Sequence, residues 1–305
     1  MDSGQAATLF SCAVCATAGN MYTMETSTNR PRSLSVSIVL HNSPLKLFEQ
    51  TLLSLYRSAE VAHEAGVVSE LRVSIIDNSV DDHYREQIRE LLSEWQASDY
   101  FYLEYSAASF NRGFGGGHNL KIERLTSDYH LILNPDTELA NNALLVGLSL
   151  MDQDQSVALL SPRVIGRGGR QEFLCKRYPS VLVLALRGFA PSLVRRLFRG
   201  RLNHYEMHDE CSSGEEVEVL LASGCYMLVR TVALRSAGGF SDEYFLYFED
   251  FDLSLRIGRQ GRKVFHPAMQ IVHHGGYAAS KGPLHMWLFF KSLIRFFNHH
   301  GWRWI

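Results

Sequence analysis

The chain has 305 residues, 46% hydrophobic and 20% charged, which is enough for one large α/β domain with a buried core and is unlike a disordered segment. Lys+Arg number 30 against Asp+Glu 32, so no basic field points to nucleic acid. The 5 cysteines are odd in number and unevenly spread, which excludes a disulfide framework and fits a reducing cytoplasm.

At the start of the chain, Cys12 and Cys15 form a C-x-x-C with no strand before it, read as chance rather than redox or zinc chemistry. No basic stretch precedes the apolar residues 6–18, so they do not make a signal peptide. Residues 1–33 are expected to be a leader, weakly structured or an upstream extension of a start at Met21 or Met24. Strands and helices alternate from Leu34. Residues 36–40 are a β-branched and apolar run suited to a strand buried on both faces. Asn42, Ser43 and Pro44 are helix-start residues, and Leu47, Leu52, Leu55 and Val61 keep a helical period up to Gly66. Residues 71–76 predict a second strand, 84–95 an amphipathic helix, 101–105 a third strand and 129–133 a fourth. Such alternation predicts a mostly parallel sheet flanked by helices, with ligands bound beyond the carboxyl ends of its strands.

The second half is less regular. Residues 163–215 carry little periodicity, 218–229 hold two short apolar runs around Gly224, and 245–260 begin aromatic and turn helical. A short strand is expected at 263–267 and a helix over 284–305. No run of about 18 apolar residues occurs, so no membrane-spanning helix is expected.

Chemistry concentrates where strands end. Asp136, after the strand and Pro135, suits a hard divalent cation that also binds phosphate oxygens, or a turn that satisfies its own amides. Asp77, in Asp77-Asn78-Ser79, suits the imide N–H of a pyrimidine or the same turn chemistry. Residues 111–119 read as a glycine-rich loop running into a helix, with exposed amides able to cradle an anion. His118 occupies the place of the third glycine in a dinucleotide fingerprint, which excludes that reading. Glu249, Asp250 and Asp252 stand against aromatics in a first helical turn. They complement the helix dipole, or supply a carboxylate whose raised pKa suits a general base.

Taken in order, the motifs are Asp-Asn-Ser at 77–79, Asn-x-Gly-x-Gly-Gly at 111–116 and Asn-Pro-Asp at 134–136. There follow Ser223-Gly-Cys-Tyr-Met-Leu-Val-Arg230, Tyr-Phe-Glu-Asp-Phe-Asp-Leu-x-Leu-Arg ending at Arg256, and Val-His-His-Gly-Gly ending at Gly276. This series resembles the family-two inverting glycosyltransferases of GT-A fold, and within them the rhamnosyltransferase-like branch that builds bacterial surface polysaccharides. The resemblance implies a GT-A domain over 34–276 and a C-terminal amphipathic helical segment over 277–305. It implies that Asp77 reads the base, that Asn111, Gly113, Asn119 and Asn134 meet the nucleotide sugar, and that Asp136 binds the metal. Asn134 replaces the first Asp of the common D-x-D motif. Asp250 resembles the catalytic base, with Glu249, Gly224 and Asp252 at the acceptor and His273, or else His274, as a further metal or diphosphate contact.

The implied reaction passes a sugar, L-rhamnose from dTDP-rhamnose, to a hydroxyl of a glycan or lipid-linked glycan such as lipopolysaccharide or O-antigen, with Mg²⁺ or Mn²⁺. Other donors, such as a UDP-linked hexose, are the alternative. A nucleotidyltransferase would need a basic glycine-rich loop near the first strand, and residues 40–44 hold no Arg or Lys. A sugar-binding module without activity fits poorly with Asp136 and Glu249-Asp250 both present. Basic and apolar residues interleave at 187–201 and 287–302, which suits peripheral contact with an anionic membrane from the cytoplasmic side.

Overall fold

A computed structural model describes residues 31–95, 98–275 and 282–305. Cys12 and Cys15, the start near Met21 and Met24, and Gly276 lie outside the described residues.

Strand β1 (Arg32–Leu40) sets the plan, with residues 34–40 all buried. Leu34, Val36, Ile38 and Leu40 enter one hydrophobic cluster. Ser35 and Ser37 point to the other face, where the Ser35 hydroxyl lies 2.7 Å from His130 Nδ1 and Ser37 lies 2.8 Å from His130 Nε2 and 2.6 Å from His118 Nδ1. Burial holds both imidazoles neutral, pushing His130 down to about 3 and His118 well below its usual range. Both serine hydroxyls and both nitrogens of His130 thus find partners on this face.

The chain continues through α1 (Leu45–Glu64), β2 (Val68–Asp77), α2 (Asp82–Ser93), β3 (Phe101–Ala107), α3 (Gly113–Ile122) and β4 (Tyr129–Leu133). Then come β5 (Thr137–Leu139), α4 (Ala143–Gln153), β6 (Val157–Gly166) and β7 (Gln171–Glu172). Four short helices follow, α5 (Val181–Phe189), α6 (Ser192–Leu197), α7 (Arg199–Tyr205) and α8 (His208–Ser212). The last elements are β8 (Val217–Glu218), β9 (Tyr226–Arg230), α9 (Thr231–Ser236), α10 (Glu249–Ile257), β10 (Arg262–His273) and α11 (Pro283–His300).

The sheet runs β3-β2-β1-β4-β9-β6-β10-β5, with β7 beside β6 and β8 beside β10. Pairs β3/β2, β2/β1, β1/β4 and β6/β10 are parallel, and β9 is antiparallel to both its neighbours. Apolar side chains cover both faces. Leu131 and Leu133 of β4 join the cluster with α1 and α4, while Ile132 joins the cluster with α9 and α10.

Three expectations are corrected. The glycine-rich segment is not an open anion-binding loop but helix α3. Its first amides are already used: Gly113 donates to Asn111 Oδ1 at 2.9 Å and Phe114 to the Phe245 carbonyl at 3.1 Å. Its glycines permit close packing, since a Cβ on Gly113 would lie 2.0 Å from the Phe245 carbonyl oxygen and one on Gly117 2.8 Å from Val39. Gly113 also has φ +74°, which disfavours any side chain. Second, the strand expected at 263–267 runs on to His273, because Pro267 sits in an irregularity between His266 and Gln270 where pairing with β6 slips and resumes. Third, residues 163–215 are not irregular but contain the end of β6, β7 and α5–α8. Helices α6 with 6 residues, α7 with 7 and α8 with 5 are each too short for a 3.6-residue period to show.

Candidate active site

Asp136 follows β4 on a turn that the sheet holds from several sides. Asn134 N–H donates to the Cys225 carbonyl at 3.0 Å, and Thr137 N–H donates to Thr51 Oγ1 of α1 at 3.1 Å. The Asp136 carbonyl accepts from His274 N–H at 2.8 Å. His273, at the end of β10 opposite Thr137, presents Nε2 3.6 Å from Asp136 Oδ1 and Nδ1 3.6 Å from Glu172. His274 turns away to Glu138 at 2.5 Å, so His273 is the histidine that faces Asp136. A Cβ on Gly275 would come within 2.4 Å of Asp136 Oδ2, so this position keeps the carboxylate clear only as glycine.

Asp136 Oδ1 is buried and has no hydrogen-bond partner among the described residues. An orphaned carboxylate oxygen beside an imidazole suits a hard divalent cation. No three His, Cys, Asp or Glu side chains among the described residues converge as a complete cage.

Asp250 stands in the first turn of α10. The two residues before that helix, Tyr247 and Phe248, have φ of +69° and +64°, a left-handed conformation unusual for aromatic side chains. Helix α11 holds this turn. Tyr247 Oη lies 2.9 Å from His285 Nδ1, Ser292 Oγ donates to the Leu246 carbonyl at 2.8 Å, and Phe248 packs on Phe289 and Phe296. Asp250 Oδ2 accepts from Gly224 N–H at 3.0 Å and Oδ1 from Phe251 N–H at 2.9 Å. Those bonds favour the anion, yet burial outweighs them and pushes Asp250 up to about 6. Glu249 is raised well above the usual carboxylate range, first by burial and then by the charge of Asp250.

The segment 223–225 joins the two acid groups. Cys225 receives the Asn134 amide, and Gly224 donates its own amide to Asp250. The buried Cys225 thiol is pushed up to about 12, mainly by burial and further by the charges of Asp136 and Asp250. Beside Asp250 opens a cavity of about 220 Å³ bounded by Glu249, Tyr247, Phe289, Leu184, Lys176 and Tyr205.

The other expected residues occupy varied settings. Asp77 is fully buried at the end of β2, accepting from Ser79 N–H at 2.7 Å and from Tyr105 Oη at 2.9 Å. Asn111, just before α3, accepts from Gly113 N–H at 2.9 Å and lies 3.3 Å from His41 Nε2. Asn119 is turned to the backbone of Phe240, donating at 2.8 Å and accepting at 2.9 Å. Asp252 faces away from Asp250, as residues two apart on a helix do, and is held by His300 at 2.8 Å and Arg256 at 2.6 Å.

The model of Glycosyl transferase family 2 matches residues 35–222. The chain belongs to glycosyl transferase family 2. An N-acetylglucosaminyl-diphospho-decaprenol L-rhamnosyltransferase of Mycobacterium tuberculosis is 26% identical over 215 residues, 63% of this chain and 66% of that protein. The rhamnosyltransferase WbbL of Escherichia coli is 24% identical over 212 residues, 65% of this chain and 75% of that protein. Among solved structures, GalNAc-T7 with UDP, GalNAc and Mn²⁺ superposes with a TM-score of 0.58 at 14% identity, covering 83% of this chain and 45% of that one. The mannosyltransferase PcManGT of Pyrobaculum calidifontis with GDP-Man and Mn²⁺ gives 0.53 at 17%, covering 83% and 60%. These neighbours show the GT-A fold.

In this family 2 chain the tertiary structure brings to the site residues to which the sequence reading gave no role there. Gly275 guards Asp136, while Tyr247, Tyr205, Lys176 and Arg187 border the cavity beside Asp250. The cations among them come from residues 163–215, where the sequence shows little periodicity.

Proposed function

We propose that this family 2 chain is an inverting, metal-dependent rhamnosyltransferase, taking L-rhamnose from dTDP-rhamnose to a hydroxyl of a bacterial surface glycan. The observation that carries this reading is the 223–225 segment, which ties the Asn134-Pro135-Asp136 turn to Asp250 through two backbone hydrogen bonds. Donor and acceptor chemistry would thereby be held in one rigid frame. The names of both sequence relatives support rhamnose as the sugar.

Asp136 and His273 would hold Mg²⁺ or Mn²⁺, which when bound supplies positive charge to the departing diphosphate. Asp250, oriented by Gly224, takes the proton of the acceptor hydroxyl. The oxygen forms its bond to the anomeric carbon as the bond to the diphosphate breaks, and the electron pair leaves with the nucleotide. One attack from the opposite side inverts the centre. Glu249, whose anion is disfavoured by burial, borders the acceptor sugar. Asp77, with Tyr105, forms the floor of the base pocket.

Purified protein offered a panel of nucleotide sugars with Mn²⁺ should consume dTDP-rhamnose in preference to UDP-hexoses. Preferential turnover of a UDP-hexose would overturn the rhamnosyl reading. Release of nucleoside monophosphate by a nucleotidyl transfer would overturn the reaction class.

No helix among the described residues is long and apolar enough to cross a membrane. Leu193, Leu197 and Phe198, and on α11 Trp287, Phe290 and Ile294, are nonetheless exposed. Arg195, Arg196, Arg199 and Arg201 are exposed beside the first group. Apolar residues flanked by cations support docking on an anionic leaflet, where each cation near the surface contributes about 1 kcal/mol. The protein should float with vesicles of phosphatidylglycerol at low salt, less so at high salt and after reversing charge at Arg195, Arg196 and Arg199. Folded protein that fails to float at low salt would overturn the docking.

A further inference from the structure

His273 is approached by a carboxylate at each of its ring nitrogens. Nε2 lies 3.6 Å from Asp136 Oδ1, and Nδ1 lies 3.6 Å from Glu172 Oε2. The residue is 8% exposed, and Nδ1 is buried with no hydrogen-bond partner among the described residues. A buried ring nitrogen left unpaired is costly, and the acceptor that faces this one is Glu172. A shift of about 0.5 Å would bring the pair to hydrogen-bond length. The Glu172 side chain is 35% exposed, and among the described residues its one ion-pair neighbour is this histidine.

A second observation explains how the carboxylate comes to be there. Across the β6/β10 pair the partner of His273 is Gly166, and across the β6/β7 pair the partner of Glu172 is Val164. Val164 and Gly166 lie on one face of β6, so Glu172 reaches diagonally toward Gly166 and the histidine beyond it. A Cβ on Gly166 would lie 2.4 Å from Glu172 Oε1 and 2.9 Å from its carboxyl carbon. The carboxylate therefore fills the space that any side chain at 166 would take. Gly166 is not among the glycines with a left-handed φ, so this close approach, and not its backbone angle, accounts for the glycine.

We propose that Glu172 is a positioning residue that accepts from His273 Nδ1–H and so keeps the Nε2 lone pair turned to Asp136, resting on the reading that Asp136 and His273 hold the divalent cation. A neutral imidazole carries one proton, and only the nitrogen without it can donate a lone pair. With the proton held at Nδ1 by Glu172, the free lone pair is at Nε2, on the side of the orphaned Asp136 Oδ1. Without Glu172 the proton can move to Nε2 and block that donor. Glu172 acts through the ring and is not itself a ligand, since it faces the other nitrogen from Asp136. Gly166 belongs to the same device, because it leaves room for the carboxylate.

Two measurements on the whole chain test this without turnover. The first is nitrogen NMR of the imidazole rings in EDTA, with the His273 signals identified by their loss in His273→Ala. The wild type should show the Nδ1–H tautomer at His273, and Glu172→Ala and Gly166→Ala should each shift it toward a mixture. The second is the affinity for Mn²⁺ by calorimetry with dTDP present. Glu172→Ala should weaken it by about tenfold or more, and Gly166→Ala should weaken it in the same direction. Glu172→Gln should retain most of it, because the amide oxygen still accepts from Nδ1–H. In the His273→Ala background, Glu172→Ala should cause no further loss. Equal losses in Glu172→Gln and Glu172→Ala would assign the effect to bare negative charge and overturn the positioning role. An unchanged tautomer in Glu172→Ala would overturn it too. Glu172→Ala keeps the test sound if Gly166→Ala does not fold, because Glu172 is partly exposed. Weaker Mn²⁺ binding in His273→Ala with full affinity in Glu172→Ala would overturn the role of Glu172 and leave the metal reading standing. Unchanged affinity in His273→Ala would instead overturn the metal reading itself.

Discussion

Asp250→Asn should lower sugar transfer by about 10² or more while leaving donor binding intact. The amide keeps the shape of the carboxylate, and one oxygen can still accept from Gly224 N–H, so the turn before α10 is preserved. What is lost is the ability to take a proton. The neighbouring acids offer no ready substitute. Burial and the charge of Asp250 disfavour the Glu249 anion, and Asp252 is held by His300 and Arg256 on another side of the helix.

The same assignment sets a pH dependence with a definite sign. The base works only as the anion, and burial pushes Asp250 up to about 6. Transfer by the wild type should fall as pH drops through about 6, well above the range of an exposed carboxylate, and should level off above it. The Asn variant should lack this acid limb. Single-turnover rates across that range measure both effects. Transfer by the Asn variant at a near wild-type rate would move the role to Glu249.

Asp136→Ala should abolish turnover and remove the metal-dependent part of donor binding. In the wild type, adding Mn²⁺ to EDTA-stripped protein should tighten the nucleoside diphosphate sugar by at least about tenfold in Kd. In the Ala variant the ion should make no difference, because the orphaned Oδ1 that faces His273 is gone. His273→Ala should lower the metal effect partway, whereas His274→Ala should leave it alone, since His274 is paired with Glu138. Calorimetry reads this without any need for catalysis. Full activity of Asp136→Ala in EDTA would overturn the assignment.

Much of the fold was legible in the first 133 residues, because strands buried on both faces write themselves as apolar runs. Residues 129–133 became β4 with unchanged bounds, while 36–40 and 101–105 were lengthened into β1 and β3. The order of β1, β2 and β3 follows from helices long enough to show a period. Beyond that point the chain passed through short or interrupted elements. β10 contains a proline irregularity, α6 has six residues and β8 has two, too few to display periodicity.

The amino-acid sequence by itself determined which residues could carry chemistry: a carboxylate after a strand, two acids after aromatics, two adjacent histidines. Only the tertiary structure decided between neighbours. Side-chain direction alternates along a strand, so pairing of β10 with β5 turned His273 to Asp136 and His274 to Glu138. Successive helical residues point about 100° apart, so α10 turned Asp250 to Gly224 and Asp252 to His300. The glycines of α3 were visible as a run, but their purpose depended on Phe245 and Val39, which approach them from distant parts of the chain. Lys176 stands out only once α5, α7 and α11 close a cavity beside it, because the cost of a buried charge exists only once water has been removed.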